Sequence, residues 1–201
     1  MEPHVLPAAA QLAPSFGPVV ADFDGDGSED LFLAQNFFPT EINTMRFDAG
    51  VGALLLGNGR GAFIAQTVNQ SGIAVFGDQR GAATADYDGD ARPDLAVAQN
   101  GAAMTLWRNT RARVGLRVTL RGPVGNPLAI GARLRVARGA TLGPVREVHG
   151  GSGYWSMDAA TTVMALPDGA TALQVRWPTG RLQTVPISGG QHSVTLVMSP
   201  L

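Results

Sequence analysis

Four aspartates, Asp22, Asp24, Asp26 and Asp30, stand at positions 1, 3, 5 and 9 of one short loop, and Asp86, Asp88, Asp90 and Asp94 repeat that spacing 64 residues later. Crowded carboxylates repel one another unless a cation gathers them. A hard divalent ion such as Ca²⁺, which takes roughly six to eight oxygen ligands at about 2.3–2.6 Å, is the chemistry this spacing serves. The main-chain carbonyl at position 7, Ser28 in the first loop and Arg92 in the second, completes the expected ligand set. Gly25 and Gly27 suit a tight turn around an ion, because glycine accepts positive φ without steric cost. The second loop keeps Gly89 but has Ala91 at position 6 and Pro93 at position 8, so Ca²⁺ is expected there too, held more weakly.

Two other readings compete. An EF-hand puts Gly at position 6 and a bidentate Glu at position 12, between helices. Position 12 is Leu33 in one loop and Val97 in the other, and the first loop is flanked by Pro18-Val19-Val20-Ala21 and Leu31-Phe32-Leu33-Ala34. Short apolar runs bounded by turn residues predict buried strands, so each loop joins two strands. A metal-free acidic surface turn is the bland alternative, and its duplication argues against it.

The elements that must position these loops follow the same pattern twice. Residues 1–17 lack a clear period and lead in; residues 36–50 read as a polar loop. Residues 52–56 and 62–65 flank the turn Gly57-Asn58-Gly59-Arg60-Gly61 and are expected to pair as a hairpin. That turn lacks the spacing and following helix of a dinucleotide-binding loop. In the second copy, Met104 through Asn109 occupy the expected place of Ala53 through Asn58, so the first copy carries the longer loop. A repeat of this length with several strands per unit predicts propeller blades.

Ala-Asp-Phe-Asp-Gly-Asp-Gly-Ser-Glu-Asp-Leu and Ala-Asp-Tyr-Asp-Gly-Asp-Ala-Arg-Pro-Asp-Leu resemble FG-GAP repeats, also called VCBS repeats, the calcium-binding blades of integrin-type β-propellers. The resemblance covers residues 15–110 and implies that the matching aspartates of both loops ligate Ca²⁺, giving two sites; Ala91 and Pro93 depart from the pattern.

Residues 110–113 read as a linker between a first region, 1–112, and a second, 113–201. Beyond it, Leu116, Val118 and Leu120 alternate with Arg117, Thr119 and Arg121, and Leu173, Val175 and Trp177 with Gln174 and Arg176. Period two with one apolar face predicts antiparallel strands folded into a small β-sandwich. Asn126-Pro127-Leu128-Ala129-Ile130-Gly131, Arg146 through Ser156 and Val175-Arg176-Trp177-Pro178-Thr179-Gly180 resemble the ASPIC/UnbV domain, which follows FG-GAP repeats in the cartilage acidic protein-like family and in many bacterial secreted proteins, some associated with enediyne biosynthesis. Met157 and Val163 depart from that pattern. The expected fold is all-β, two propeller-type blades followed by a small antiparallel β-sandwich. Two blades do not close a ring of roughly four to eight, so the chain is expected to be the C-terminal part of a longer propeller protein, to self-associate, or to be an unusual two-blade form.

Composition narrows the function classes. With no cysteine there is no disulfide, thiol catalysis or Cys-based zinc site. No run approaches the ~18 apolar residues of a membrane helix, and residues 1–10 lack the basic start and apolar centre of a secretory signal. The formal net charge of −1 conceals a split: 13 acidic and 6 basic residues precede position 113, against 3 acidic and 9 basic from there on, so the two regions are expected to attract. The arginine row of Arg117, Arg121, Arg133, Arg135 and Arg138 has no interleaved aromatics, which argues for a solvated face rather than nucleic acid, with an acidic glycan or the first region's own acidic surface as the intermediate reading.

Glu147, His149 and Asp158 are the only close acid/base residues. His149-Gly150-Gly151-Ser152-Gly153 echoes an esterase oxyanion strand without the G-x-S-x-G elbow, so a glycine-rich corner is the expected reading. Trp177 shares the apolar face of its strand and is expected in the core, whereas Tyr154 and Trp155, beside glycines, are expected at the surface. Glu147, His149, Tyr154 and Trp155 form the candidate ligand surface. The expected function is a calcium-binding, non-catalytic, extracellular or periplasmic interaction module of the adhesion type, with a protein or glycan partner, no nucleic acid and no membrane span. An enzyme or biosynthesis-associated protein using residues 146–155 and a carbohydrate-binding module are the alternatives.

Overall fold

The computed structural model describes residues 4–46 and 48–198, and nearly every regular element in it is a strand. The first region opens with β1 (Ser15–Ala21), whose period of two buries Gly17, Val19 and Ala21 and leaves Pro18 and Val20 outside. β2 (Asp30–Gln35) is buried almost throughout, as a central strand must be. β3 (Ala53–Gly57) and β4 (Phe63–Ala65) complete an antiparallel meander in the order β1-β2-β3-β4. A one-turn helix (Val68–Ser71), capped reciprocally by Thr67 and Gln70, leads to β5 (Asp78–Ala85), β6 (Asp94–Asn100) and β7 (Thr105–Trp107). These three form a second antiparallel sheet in which no fourth strand follows β7 among the described residues. Each acidic loop joins the first two strands of its sheet.

The repeat register differs by one residue from the sequence expectation. Ala53 pairs with Leu33, and Thr105, not Met104, pairs with Val97. Arg108 therefore stands where the first copy has Leu56, and Asn109 where it has Gly57. Apolar residues lie on both sides of this short edge strand, with Met104 and Leu106 exposed, so hydrophobicity does not mark its register.

The two sheets share a core that includes Val19, Phe32, Leu54, Ala82, Leu95 and Val97. They approach closely at Gly17, where an added Cβ would lie 3.1 Å from the Ala82 amide nitrogen. The long loop after β2 is clamped at its base by Asn36, which is fully buried at φ 84; its Nδ2 donates to the Gly50 carbonyl at 2.7 Å and its Oδ1 accepts from the Gly50 amide at 2.9 Å.

The second region is a two-sheet sandwich. β9 (Arg133–Arg138) is flanked on one edge by β10 (Thr141–Leu142) and β11 (Arg146–Glu147), and on the other by β13 (Ala172–Arg176), which pairs with β14 (Leu182–Pro186). The facing sheet has the order β12-β8-β15, from β12 (Thr162–Met164), β8 (Leu116–Arg121) and β15 (Ser193–Val197). Leu116, Val118, Leu134, Leu173 and Val175 are wholly buried between the sheets, and Trp177 at 2% exposure donates its Nε1–H to Gln183. One pairing is not antiparallel: β15 runs parallel to β8. Alternation fixes which face is buried but not strand direction, so this crossover is invisible in the sequence pattern.

The expected linker is bound rather than loose. The Arg113 amide donates to the Asp24 carbonyl at 3.0 Å, the Gly115 amide to the Ala91 carbonyl at 2.9 Å, and Arg92 Nε to the Ala112 carbonyl at 2.7 Å. Farther along the junction, Asp158 accepts from the Thr84 amide at 2.7 Å and the Ala159 amide donates to the Thr84 carbonyl at 2.9 Å. No helix among the described residues is long and apolar enough to cross a membrane.

Candidate metal centres

In the first loop, Asp22, Asp24 and Asp30 each present a carboxylate oxygen within 4.8 Å of the others. Asp22 is anchored by the amides of Gly25, Asp26 and Gly27, at 2.8, 3.1 and 3.0 Å. Asp30 closes the loop from the strand side, accepting from the Phe23 amide at 2.7 Å and from the Gly57 amide of β3 at 2.8 Å. Gly25 and Gly27 have φ 76 and 94, the left-handed region in which a side chain is strained. Asp26 is not among the gathered carboxylates; it accepts the Ser28 amide at 2.6 Å and shapes the turn at that residue.

Asp22 and Asp30 are 5% and 1% exposed, and burial pushes their carboxyls up to about 6 and about 7. The amide hydrogen bonds oppose that rise at both residues, Arg146 opposes it at Asp22, and the charge of Asp24 adds to it at both. Anionic oxygens held together against their own solvation cost fit a hard divalent cation.

The second loop gathers Asp86, Asp88 and Asp94 in the same way. Asp94 accepts from the Tyr87 amide at 3.1 Å and the Asn109 amide at 2.7 Å, and burial, with the charges of Asp88 and Asp90 adding to it, holds its carboxyl above the ordinary range. Asp86 is buried, and its Oδ1 has no hydrogen-bond partner. An orphaned oxygen on a buried carboxylate that is gathered with two others fits a cation here as well. Ala91 adopts φ 61 where the first loop has Gly27, a strain of roughly 1 kcal/mol. Asp90 again stays outside the gathered set and accepts the Arg92 amide at 3.0 Å.

Arginines distinguish the two loops. Arg108 Nε lies 2.5 Å from Asp88 Oδ2 and its terminal nitrogen 3.4 Å from Asp90; Arg92 reaches Asp90 at 3.0 Å; Arg117 of β8 reaches Asp86 at 3.2 Å. The first loop meets the second region through Arg146, paired with Glu29 at 2.7 Å. Sequence reasoning named none of Arg108, Arg117 and Arg146 as parts of these sites. Arg117 belongs to the row expected to be a solvated face, with the first region's acidic surface as the intermediate reading; its contact with Asp86 corrects the first and agrees with the second.

The other candidate residues fall in two places. Glu147 and His149 line a cleft of about 680 Å³ between the two regions, with Ser152, Asp158 and Arg146. Glu147 is held by Arg133 at 2.9 Å. Tyr154 and Trp155 lie apart from that cleft, their rings stacked 5.2 Å apart, and Tyr154 also touches Phe16 of β1. Trp155 is 87% exposed at φ 48.

Residues 22–97 match the family model described as FG-GAP-like repeat, and residues 122–199 that described as ASPIC and UnbV. No match was found among curated proteins.

Proposed function

We propose that this chain, an FG-GAP-like repeat followed by an ASPIC and UnbV domain, is a calcium-stabilised, non-catalytic interaction module of the extracellular or periplasmic adhesion type. The observation that carries the proposal is the convergence of Asp22, Asp24 and Asp30, two of them buried, on one point of a strand-loop-strand unit. A bound Ca²⁺ supplies positive charge and nothing else; the chain's own residues orient the ligands through backbone amides and join β1 to β2. A cation that binds only the folded loop stabilises it by mass action, by about 2.7 kcal/mol at 100 times its dissociation constant. The first loop is the principal site, with Asp22, Asp24 and Asp30 and the Ser28 carbonyl as ligands; Asp86, Asp88, Asp94 and the Arg92 carbonyl offer the second.

The absence of a catalytic role is supported by how the acid/base residues are used: Glu147 pairs with Arg133, and Asp158 caps the Thr84 amide. The partner, a protein or a glycan, meets the stacked pair of Tyr154 and Trp155, whose exposed indole offers an apolar face. Calorimetric titration with Ca²⁺ tests the first half: uptake that survives Asp24→Ala unchanged, or no uptake at all, refutes it. Glycan-array and protein-capture binding lost on Trp155→Ala tests the second. The cleft holding Glu147, His149, Ser152 and Asp158 supports a second reading as an enzyme; turnover of a substrate abolished by His149→Ala would establish it.

A further inference from the structure

The two acidic loops have the same ligand spacing but not the same neighbours. Superposing the repeats by their strand pairing puts Arg108 of the second copy at the place of Leu56 in the first. From there it ion-pairs with both Asp88 and Asp90. Arg92 holds the other side of Asp90. Arg117 pairs with Asp86 Oδ2, and only the buried Asp86 Oδ1 is left without a partner among these carboxylates.

We propose that Arg108 is a resident cation of the second loop, occupying Asp88 and Asp90 from within the chain, so that a divalent ion enters that loop only by displacing the guanidinium. Among the described residues no guanidinium ion-pairs with Asp22, Asp24, Asp26 or Asp30, the guanidinium charge felt at Asp22 being that of Arg146, which pairs with Glu29, so the first loop takes its metal directly. The chain thereby divides one repeated motif into two: a loop that depends on the cation, and a loop that stays gathered without it and binds the metal weakly. A guanidinium carries one charge and donates hydrogen bonds in a plane, whereas a divalent ion takes oxygens from all sides. The second loop therefore still binds metal, at a cost set by Arg108. This inference rests on the calcium reading of the loops.

The test uses the full chain and CaCl₂ in calorimetric titration, with Asp24→Ala and Asp88→Ala assigning each phase to its loop. Wild type is expected to show a tight phase lost in Asp24→Ala and a weaker one lost in Asp88→Ala. Arg108→Leu, which installs the first copy's residue, should strengthen the weaker phase about tenfold or more and leave the tight phase unchanged. In metal-free buffer the same variant should melt at a lower temperature than wild type, and Arg108→Lys should recover most of that loss. A tight phase that behaves as expected beside a weaker phase unmoved by Arg108→Leu overturns the inference and leaves the calcium reading standing. Absence of both phases overturns the calcium reading and, with it, the displacement step. Equal melting of wild type and Arg108→Leu in metal-free buffer overturns the resident cation whatever the metal does.

Discussion

Removing metal from this protein should make its stability fall as pH rises from 5 to 8, and adding Ca²⁺ should abolish most of that fall. Asp22 is raised from 3.8 to about 6 and Asp30 from 3.8 to about 7, chiefly by burial. The metal-free fold therefore binds these two protons more tightly than the unfolded chain does. Their contribution is fully present below about pH 4 and is lost as pH climbs through 6 and 7. At about 1.4 kcal/mol per tenfold change in proton affinity, the complete effects are ~3 kcal/mol for Asp22 and ~4 kcal/mol for Asp30, of which roughly 4 kcal/mol in total falls between pH 5 and 8. For a chain of this size that lowers Tm by roughly 10 °C. Excess Ca²⁺ compensates the ionised carboxylates, so the calcium-induced rise in Tm should be small at pH 5 and large at pH 8. Scanning calorimetry of metal-free and calcium-loaded protein at both pH values measures it. Asp24→Ala serves as an internal control: it removes a charge that raises both neighbours, so the metal-free pH slope should soften while the calcium response disappears. A metal-free Tm that is flat or rises between pH 5 and 8, or a calcium response equal at the two, would refute the reasoning.

Three further substitutions probe the frame around the loops. Gly57→Ala puts a Cβ 2.1 Å from the Glu29 carbonyl oxygen and should cost roughly 3 kcal/mol in urea unfolding, weakening calcium uptake with it because the Gly57 amide anchors Asp30. Gly27→Ala makes only an ordinary contact, with Ala165 Cβ at 3.8 Å, but must hold φ 94; a loss of about 1 kcal/mol in metal-free protein is expected, and an unchanged urea midpoint would count against strain at this position. Asp158→Ala strips the Thr84 amide of its partner and should cost about 1–3 kcal/mol, read as a lower urea midpoint; an unchanged midpoint would mean that water replaces the carboxylate.

How much of this was legible in the residues depends on the range of the interaction. The gathering of carboxylates in each loop was readable because Asp22 and Asp30 answer to backbone amides within eight residues or to the adjacent strand. The alternating runs of β8 and β13 were readable because the period of a strand is local. Asp26 and Asp90 carry the same residue type as their neighbours, and only the folded turn shows that they shape the backbone instead of joining the gathered carboxylates. The parallel pairing of β15 with β8 joins residues about 75 positions apart and leaves no trace in either strand's own pattern. Arg108 was hidden by the one-residue slip of an exposed edge strand, and Arg117 by lying in the other region altogether.

The segment after β7 sets what a divided version of this protein would be. Its amides at Arg113 and Gly115 satisfy the carbonyls of Asp24 and Ala91, one in each acidic loop, and Gly25 leaves no room for a Cβ against Arg113. A fragment cut at residue 112 would carry both loops but lose a hydrogen-bond donor from each, together with the guanidiniums of Arg117 and Arg146. Both loops thus depend on contacts from beyond residue 112, and an N-terminal fragment, or its sheets fused to a foreign C-terminal domain, would lack those contacts.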